Sequence, residues 1–251
     1  MIVLYTDFGA TDIYVGQLKS VLAQLAPNVP VVDLAHDLVP FEVVPAAHLL
    51  HGLAARFPAG TVFCCVVDPG VGGKRGAAVL EADGRWYVGP DNGLLSVVGA
   101  RAARRRSFRI DWRPAQLSVS FHGRDLFAPM CAWLAAGPFP ADKLVPTAEL
   151  DVELGAADSP TIIYIDHYGN AMTGLRARSI DRGAGWDLEV GGRRIGHAGV
   201  FSEVPPGALF WYENSLGLVE VAARQASACE RLGLAVGMPV RAGEPRDDHG
   251  R

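Results

Sequence analysis

The sequence predicts an α/β domain followed by a small all-β domain, and three observations predict it. Through the first half, short β-rich runs alternate with amphipathic stretches, the pattern of a parallel or mixed sheet covered by helices. Beyond about residue 160, short strand-like runs are punctuated by glycine, which suggests a small β-barrel or sandwich. The length of 251 residues suits one large domain or two modest ones.

MIVLYT reads as a buried first strand, and YVGQLKSVLAQLA from Tyr14 as the helix after it. A second strand over 30–34 leads into a Pro-rich loop, then a helix from Val43 that ends near Pro58. TVFCCVVD is wholly apolar until its last residue and is therefore a central third strand. AAVLEADGRWYVGP carries Asp83-Gly84 between two strand-like runs and reads as a hairpin. A further helix is expected over 124–136. From about 140 to 160, proline and acidic residues without periodicity read as a linker. The resulting division is an α/β domain over 1–150, a linker over 151–160, a β domain over 161–241 and a disordered tail over 242–251. TIIYIDHYGNAMTGL, WDLEVGGRRIG, LFWYENS and LGLVEVAAR supply the strands of the second domain.

Hydrophobic residues make up 49% of the chain and charged ones 20%, with a mean hydropathy of +0.17, an ordinary globular composition. A net charge of -4 gives no broad attraction for nucleic acid or an anionic membrane. The basic run RAARRRSFR at 101–109 reads as a solvated surface. The longest apolar stretches, such as TVFCCVV at 61–67, fall far short of the roughly 20 residues of a membrane helix. The opening MIVLYTDFG lacks a basic leader region, so a cytoplasmic protein is expected. Cys64, Cys65, Cys131 and Cys229 form no CxxC pair or zinc-site spacing and are expected to be thiols in a reducing compartment, with no metal.

Asp7, Asp37 and Asp68 each follow a predicted strand, where α/β sheets form their ligand crevice, although turn capping explains any one of them equally. DPGVGGKRG fails both phosphate-loop templates, because Arg75 stands where Ser/Thr or Gly is needed. It reads instead as a glycine-rich turn bringing backbone close to a ligand, with Asp68 and Arg75 as an ion pair, structural or catalytic. His122, between Phe121 and Gly123, is a packing residue unless partners surround it. His36, His48, His51, His197 and His249 lack ligand spacing and read as structural or solvated. Asp166, Tyr168, Gly169 and Asn170 suit either a β-turn or recognition of a flat heterocycle by stacking and edge hydrogen bonds. Ser215 and the amides of ENSLG can hold a carboxylate.

Eight blocks then stand in the same order as in one known family: TDFG with DIYVGQLKSV, HDLVPFEV, VVDPGVGGKRGAAV, GPDNGLLS, FHGRDLFAP, IDHYGN and NSLGLVEVA. From residue 2 to about 237 the chain resembles S-adenosyl-L-methionine hydrolases, the SAM hydroxide adenosyltransferase relatives of the fluorinase and chlorinase. The resemblance implies an α/β N-terminal domain with a mixed, mostly parallel sheet flanked by helices, and a small all-β, barrel-like C-terminal domain. It implies a homotrimer whose substrate sites lie between the N-domain of one subunit and the C-domain of its neighbour.

Carried over by position, the catalytic residues are Asp68, Arg75 and His122. The ribose carboxylate is Asp7, and Phe41 and Tyr168 supply aromatic packing beside the ribose and adenine. On chemical grounds Phe121 is expected to join them in excluding competing solvent and facing the cationic substrate. Asp166 and Asn170 contact adenine or methionine, and Ser215 the methionine carboxylate. The implied activity is hydrolysis of S-adenosyl-L-methionine to adenosine and L-methionine by in-line attack of water on the ribose C5′, with no cofactor. Either Asp68 or His122 takes the water's proton. Halogenases carry Tyr in place of Asp68 and another residue in place of His122, and the fluorinase has Ser in place of Gly123, differences that favour water over halide. The alternatives are a halide-dependent adenosyltransferase and a non-catalytic sensor of S-adenosylmethionine or adenosine. Met172 and RQASA at 224–228 depart from the family pattern, both among the C-terminal contacts.

Overall fold

A computed structural model describes residues 1–180 and 186–243. It divides into two compact units between Ala156 and Ala157. The first contains strands β1 (Ile2–Thr6), β2 (Val31–Ala35), β3 (Val62–Val66), β4 (Gly76–Ala82), β5 (Arg85–Asp91), β6 (Arg105–Ile110) and β7 (Leu144–Thr147). Its helices are α1 (Ile13–Leu25), α2 (Val43–Ala54), α3 (Ser96–Arg101) and α4 (Ala128–Ala136). The strands form one sheet in the order β2-β1-β3-β5-β4-β6-β7. The first four pair in parallel and β4, β6 and β7 are antiparallel, a mixed sheet as predicted.

Both faces of the central strands are covered, which is why β1 and β3 are fully buried and, Thr6 apart, built of apolar and aromatic residues. On one face Val15, Leu18 and Leu22 of α1 and Met130 and Cys131 of α4 pack on Ile2, Leu4, Cys64 and Val66. On the other, the Tyr5 hydroxyl donates to the Ala46 carbonyl of α2, and Phe63 stacks on Tyr87 at 5.0 Å. The Asp83-Gly84 hairpin joins β4 and β5, with positive φ at both residues (47° and 78°), the turn geometry that Asp-Gly favours.

The second unit contains β8 (Ser159–Ile165), β9 (Ala171–Arg176), β10 (Leu188–Val190), β11 (Arg193–Ile195), β12 (Leu209–Glu213), β13 (Leu218–Ala223), β14 (Arg241–Ala242) and the short helix α5 (Ala228–Leu232). Two antiparallel sheets, β12-β13-β9-β8 and β11-β10-β14, share a core around Trp211, Val219, Val221 and Leu188. Single bridges, Thr161 to Pro239 and His197 to Trp211, link the sheets at both edges and complete a barrel-like ring.

Four regions differ from the sequence reading. The basic run at 101–109 is not only surface: β6 begins at Arg105, and Ser107, Phe108 and Ile110 are buried while Arg105, Arg106 and Arg109 face solvent. Within 140–160, Leu144–Thr147 pairs with β6 as the outermost strand, an edge position that tolerates Pro146. The helix expected over 124–136 opens with a π-helical turn, Gly123–Phe127, before α4. Ala242, assigned to the tail, pairs with Leu188 in β14, and residues 244–251 lie outside those described. Among the described residues no helix is long and apolar enough to cross a membrane.

Candidate active site

Parallel pairing of β1 with β3 places Thr6 opposite Val66, so Asp7 and Asp68 leave the sheet at the same edge. Asp7 accepts the Phe41 backbone N–H at 3.0 Å through Oδ2. Phe41 itself is held at φ 70°, a left-handed conformation unusual for an aromatic residue, and the residue is 70% exposed. Burial raises the Asp7 pKa, and the bond from Phe41 counteracts part of that rise.

After β3 the chain turns back within nine residues, 67–75. Gly72, at φ 75°, lies against the Val119 carbonyl, where any side chain would collide. The turn returns Arg75 onto Asp68: Nε donates to Oδ1 at 2.9 Å and Oδ2 at 3.1 Å, and Nη2 donates to Oδ2. The same Nη2 lies 2.7 Å from His122 Nδ1, while Nη1 donates to the Gly76 carbonyl at 3.1 Å. Phe127 packs under the guanidinium at 5.5 Å. A guanidinium only donates, so Nδ1 must present its lone pair and the His122 proton must sit on Nε2. Burial, then the Arg75 charge, lowers the His122 pKa and favours that neutral form.

His122 lies at the mouth of the π turn, and its loop is pinned from below. Asp125 Oδ2 accepts the Ser118 N–H at 2.8 Å, and Arg124 ties Asp125 to Gln17 of α1. Arg124 also lies 5.1 Å over the Phe121 ring, which meets Phe8 and Tyr14 edge-on. A cavity of about 420 Å³ opens here, and Asp7, Phe41, Asp68, Phe121 and His122 all line it, with Arg75 holding two of them from outside the lining. Phe8, Tyr14 and Ser120 also line it and were not singled out in the sequence, although Phe8 and Tyr14 fall inside the TDFG and DIYVG blocks.

In the second unit, Asp166 organises the turn between β8 and β9. Its Oδ1 accepts the Tyr168 and Asn170 backbone N–H groups at 2.9 and 2.8 Å, and Oδ2 accepts Asn170 Nδ2 at 2.9 Å. Gly169 takes φ 80° at the tip. Asp166, Tyr168 and Asn170 line a second cavity of about 570 Å³, together with Phe201, Tyr212 and Gln225. Ser215 is not in that lining. It lies in the following turn, which Asn214 closes by accepting the Leu216 and Leu218 N–H groups. Met172 sits on β9 opposite Glu220, and Gln225, in the departing RQASA segment, has φ 55°.

A third depression, of about 600 Å³, is walled by Glu81, Asp83 and Arg104–Arg106; Arg106 pairs with Glu81, Arg105 with Glu153, and Asp83 accepts the Arg104 backbone N–H at 3.0 Å. It has no aromatic wall. All four cysteines are free thiols, and no cluster of three or more metal-ligating side chains occurs among the described residues.

The division of the fold into two units agrees with what the chain is similar to. Residues 2–144 match the SAM hydroxide adenosyltransferase N-terminal domain and residues 160–241 the C-terminal domain. The chain belongs to the SAM hydroxide adenosyltransferase family. Among its relatives, the (R)-S-adenosyl-L-methionine hydrolase of Thermus thermophilus is 42% identical, with 94% of this chain and 96% of the relative covered. The enzyme of that name from Salinispora arenicola is 36% identical over 94% and 95%. The fluorinase of Nocardia brasiliensis is 28% identical over 96% of each chain. Among solved structures, an uncharacterized conserved protein of Thermotoga maritima superposes with a TM-score of 0.87 at 29% identity, covering 97% of this chain and all of that one.

Proposed function

We propose that this protein hydrolyses S-adenosyl-L-methionine to adenosine and L-methionine, and that it acts on the (R) sulfonium epimer for which its relatives are named. The observation that carries the reading is the Asp68–Arg75–His122 chain of hydrogen bonds at an aromatic-walled cavity that also contains Asp7.

Water's oxygen forms a bond to the ribose C5′ as the C5′–S bond breaks, and the electron pair of that bond leaves with sulfur. The sulfonium becomes a neutral thioether, so the leaving group needs no proton. The demand falls on the nucleophile, which must be oriented and relieved of a proton. Asp68 suits the second task. Each of its oxygens accommodates two donors, and Oδ1 takes one, from Arg75 Nε, leaving a lone pair for water. His122 is less suited, because Nδ1 already faces Arg75 and Nε2 carries the proton; its role is to donate to the water oxygen. Arg75 orients the carboxylate through charge-assisted hydrogen bonds and fixes both partners. Asp7 accepts from the ribose hydroxyls, and Phe41 and Phe121 keep other water away from C5′ and present ring faces to the cationic substrate.

The second cavity receives the adenine and methionine parts through Asp166, Tyr168 and Asn170, with Ser215 reaching the methionine carboxylate. Each unit thus offers half of the chemistry, and we assign the assembly to a homotrimer in which one copy's N-terminal half serves its neighbour's C-terminal half. No cofactor takes part, and the free buried thiols fit the cytoplasm.

Incubation with each sulfonium epimer in oxygen-18 water tests the reading. Label in the adenosine 5′-hydroxyl, with the (R) epimer preferred, is the expected result. Asp68→Ala should lower kcat by about 10²–10⁴-fold while adenosine still binds. Unlabelled adenosine, or equal turnover by the variant, would overturn the assignment.

A further inference from the structure

Glu220 has no part in the chemistry above, yet its carboxyl is buried, with the residue only 2% exposed. Along β13 its neighbours Val219 and Val221 face the shared core, while Ala222 packs with Phe210 and Ala198 on the opposite side. Glu220 lies on the Ala222 side, in register with Tyr212 of β12 and Met172 of β9. An acid at such a place is costly unless fully partnered. Both oxygens are partnered: Oε1 accepts the Tyr212 hydroxyl at 2.6 Å and Oε2 accepts Asn214 Nδ2 at 2.8 Å.

The two partners lead to different parts of the same half-site. Tyr212 is a wall of the second cavity, its ring against Phe201 and Phe210. Asn214, itself 7% exposed, uses its carbonyl oxygen to hold the Leu216 and Leu218 N–H groups and so shapes the turn that carries Ser215. One carboxylate therefore fixes the cavity wall and the adjoining turn to each other. A valine or methionine would fill the space without linking them.

We propose that Glu220 is a positioning residue for substrate binding, locking Tyr212 and the Asn214–Gly217 turn into one preformed surface. The proposal rests on the reading of the second cavity as a substrate half-site. Glutamine at 220 can preserve both links, its oxygen accepting from Asn214 and its amide donating to the Tyr212 oxygen, whereas methionine preserves neither.

The test measures adenosine affinity by calorimetry and steady-state hydrolysis for wild type, Glu220→Met, Glu220→Gln and Tyr212→Phe, with melting curves for each. In Glu220→Met, the adenosine Kd and the substrate KM should rise about tenfold with kcat per folded protein changed less than about threefold. Glu220→Gln should restore both constants to within about threefold of wild type, and Tyr212→Phe should raise them about threefold. A merely structural acid would lower the melting temperature and leave KM and Kd where they were, and that result overturns the proposal. So does a Glu220→Gln variant as impaired in Kd as Glu220→Met, because charge rather than positioning would then be responsible. If Glu220→Met does not fold, unchanged Kd and KM in Tyr212→Phe have the same force. Wild type that binds adenosine without turnover would end the hydrolase reading and leave the Kd comparison decisive for Glu220; wild type that binds neither ends both.

Discussion

The two cavities are built by opposite means. In the first unit, the chemistry depends on charges brought together across the fold: Arg75 reaches Asp68 seven positions back and His122 forty-seven positions ahead. In the second, the Asp166 side chain binds partners only two and four residues away. The lesson is a division of labour between a long-range ionic chain that fixes reacting groups and a local turn that presents a recognition surface. Changes in the first should therefore appear in kcat, and changes in the second in KM.

The largest break in that contrast is expected from Arg75→Lys. A guanidinium uses Nε and both Nη atoms here, on Asp68, His122 and the Gly76 carbonyl, and an ammonium on a flexible stem cannot reproduce that fork. Retaining the positive charge should not rescue the enzyme: kcat should fall about 10²-fold, with KM nearly unchanged. Steady-state kinetics check it, and a variant within about threefold of wild type would show that charge alone is needed. Asp166→Ala should give the converse result. Three donors lose their acceptor, the turn loosens, and KM should rise about tenfold while kcat holds within a few-fold. Equal loss in both parameters would erase the distinction between the two cavities.

The same contrast explains what was legible in the sequence. The Asp83-Gly84 hairpin, the apolar central strand and the Asp166–Asn170 turn announce themselves locally, through turn chemistry and unbroken hydrophobicity. For the pairing of Asp68 with Arg75, a glycine-rich turn could be read but not its function, since a surface ion pair looks the same. His122 became a partner only through the resemblance, because nothing within a few residues of it reports a guanidinium arriving from β4's leading edge. β6 was hidden by composition: three arginines in a six-residue strand face solvent and mask the buried Ser107, Phe108 and Ile110. Glu220 was overlooked for the opposite reason, since in LGLVEVAAR a single acid in an apolar run looks like the solvent side of a strand. Period-two patterning cannot distinguish a solvated acid from a buried one whose partners lie on the neighbouring strand and in the turn beyond it.

The smallest expected effect is also the most diagnostic of the ionic chain. His122 accepts from Arg75 only while neutral, and burial together with the Arg75 charge lowers its pKa below the ordinary 6.5. Protonation at Nδ1 would set two cations against each other and break that bond. Because the unfolded imidazole takes up its proton at higher pH than the folded one, the contribution to stability is complete above 6.5 and is lost as pH falls through the lowered folded value. Activity should follow the same direction, with kcat/KM on a plateau near neutrality and an acid limb beginning below 6.5. His122→Gln supplies an acceptor for Arg75 and a donor for water without titrating. It should keep the neutral-pH rate within about tenfold and move the acid limb to lower pH. A pH–rate profile of the two proteins decides it: an acid limb in the same place in both would mean that another group controls it and that the imidazole's tautomer has no bearing on the rate.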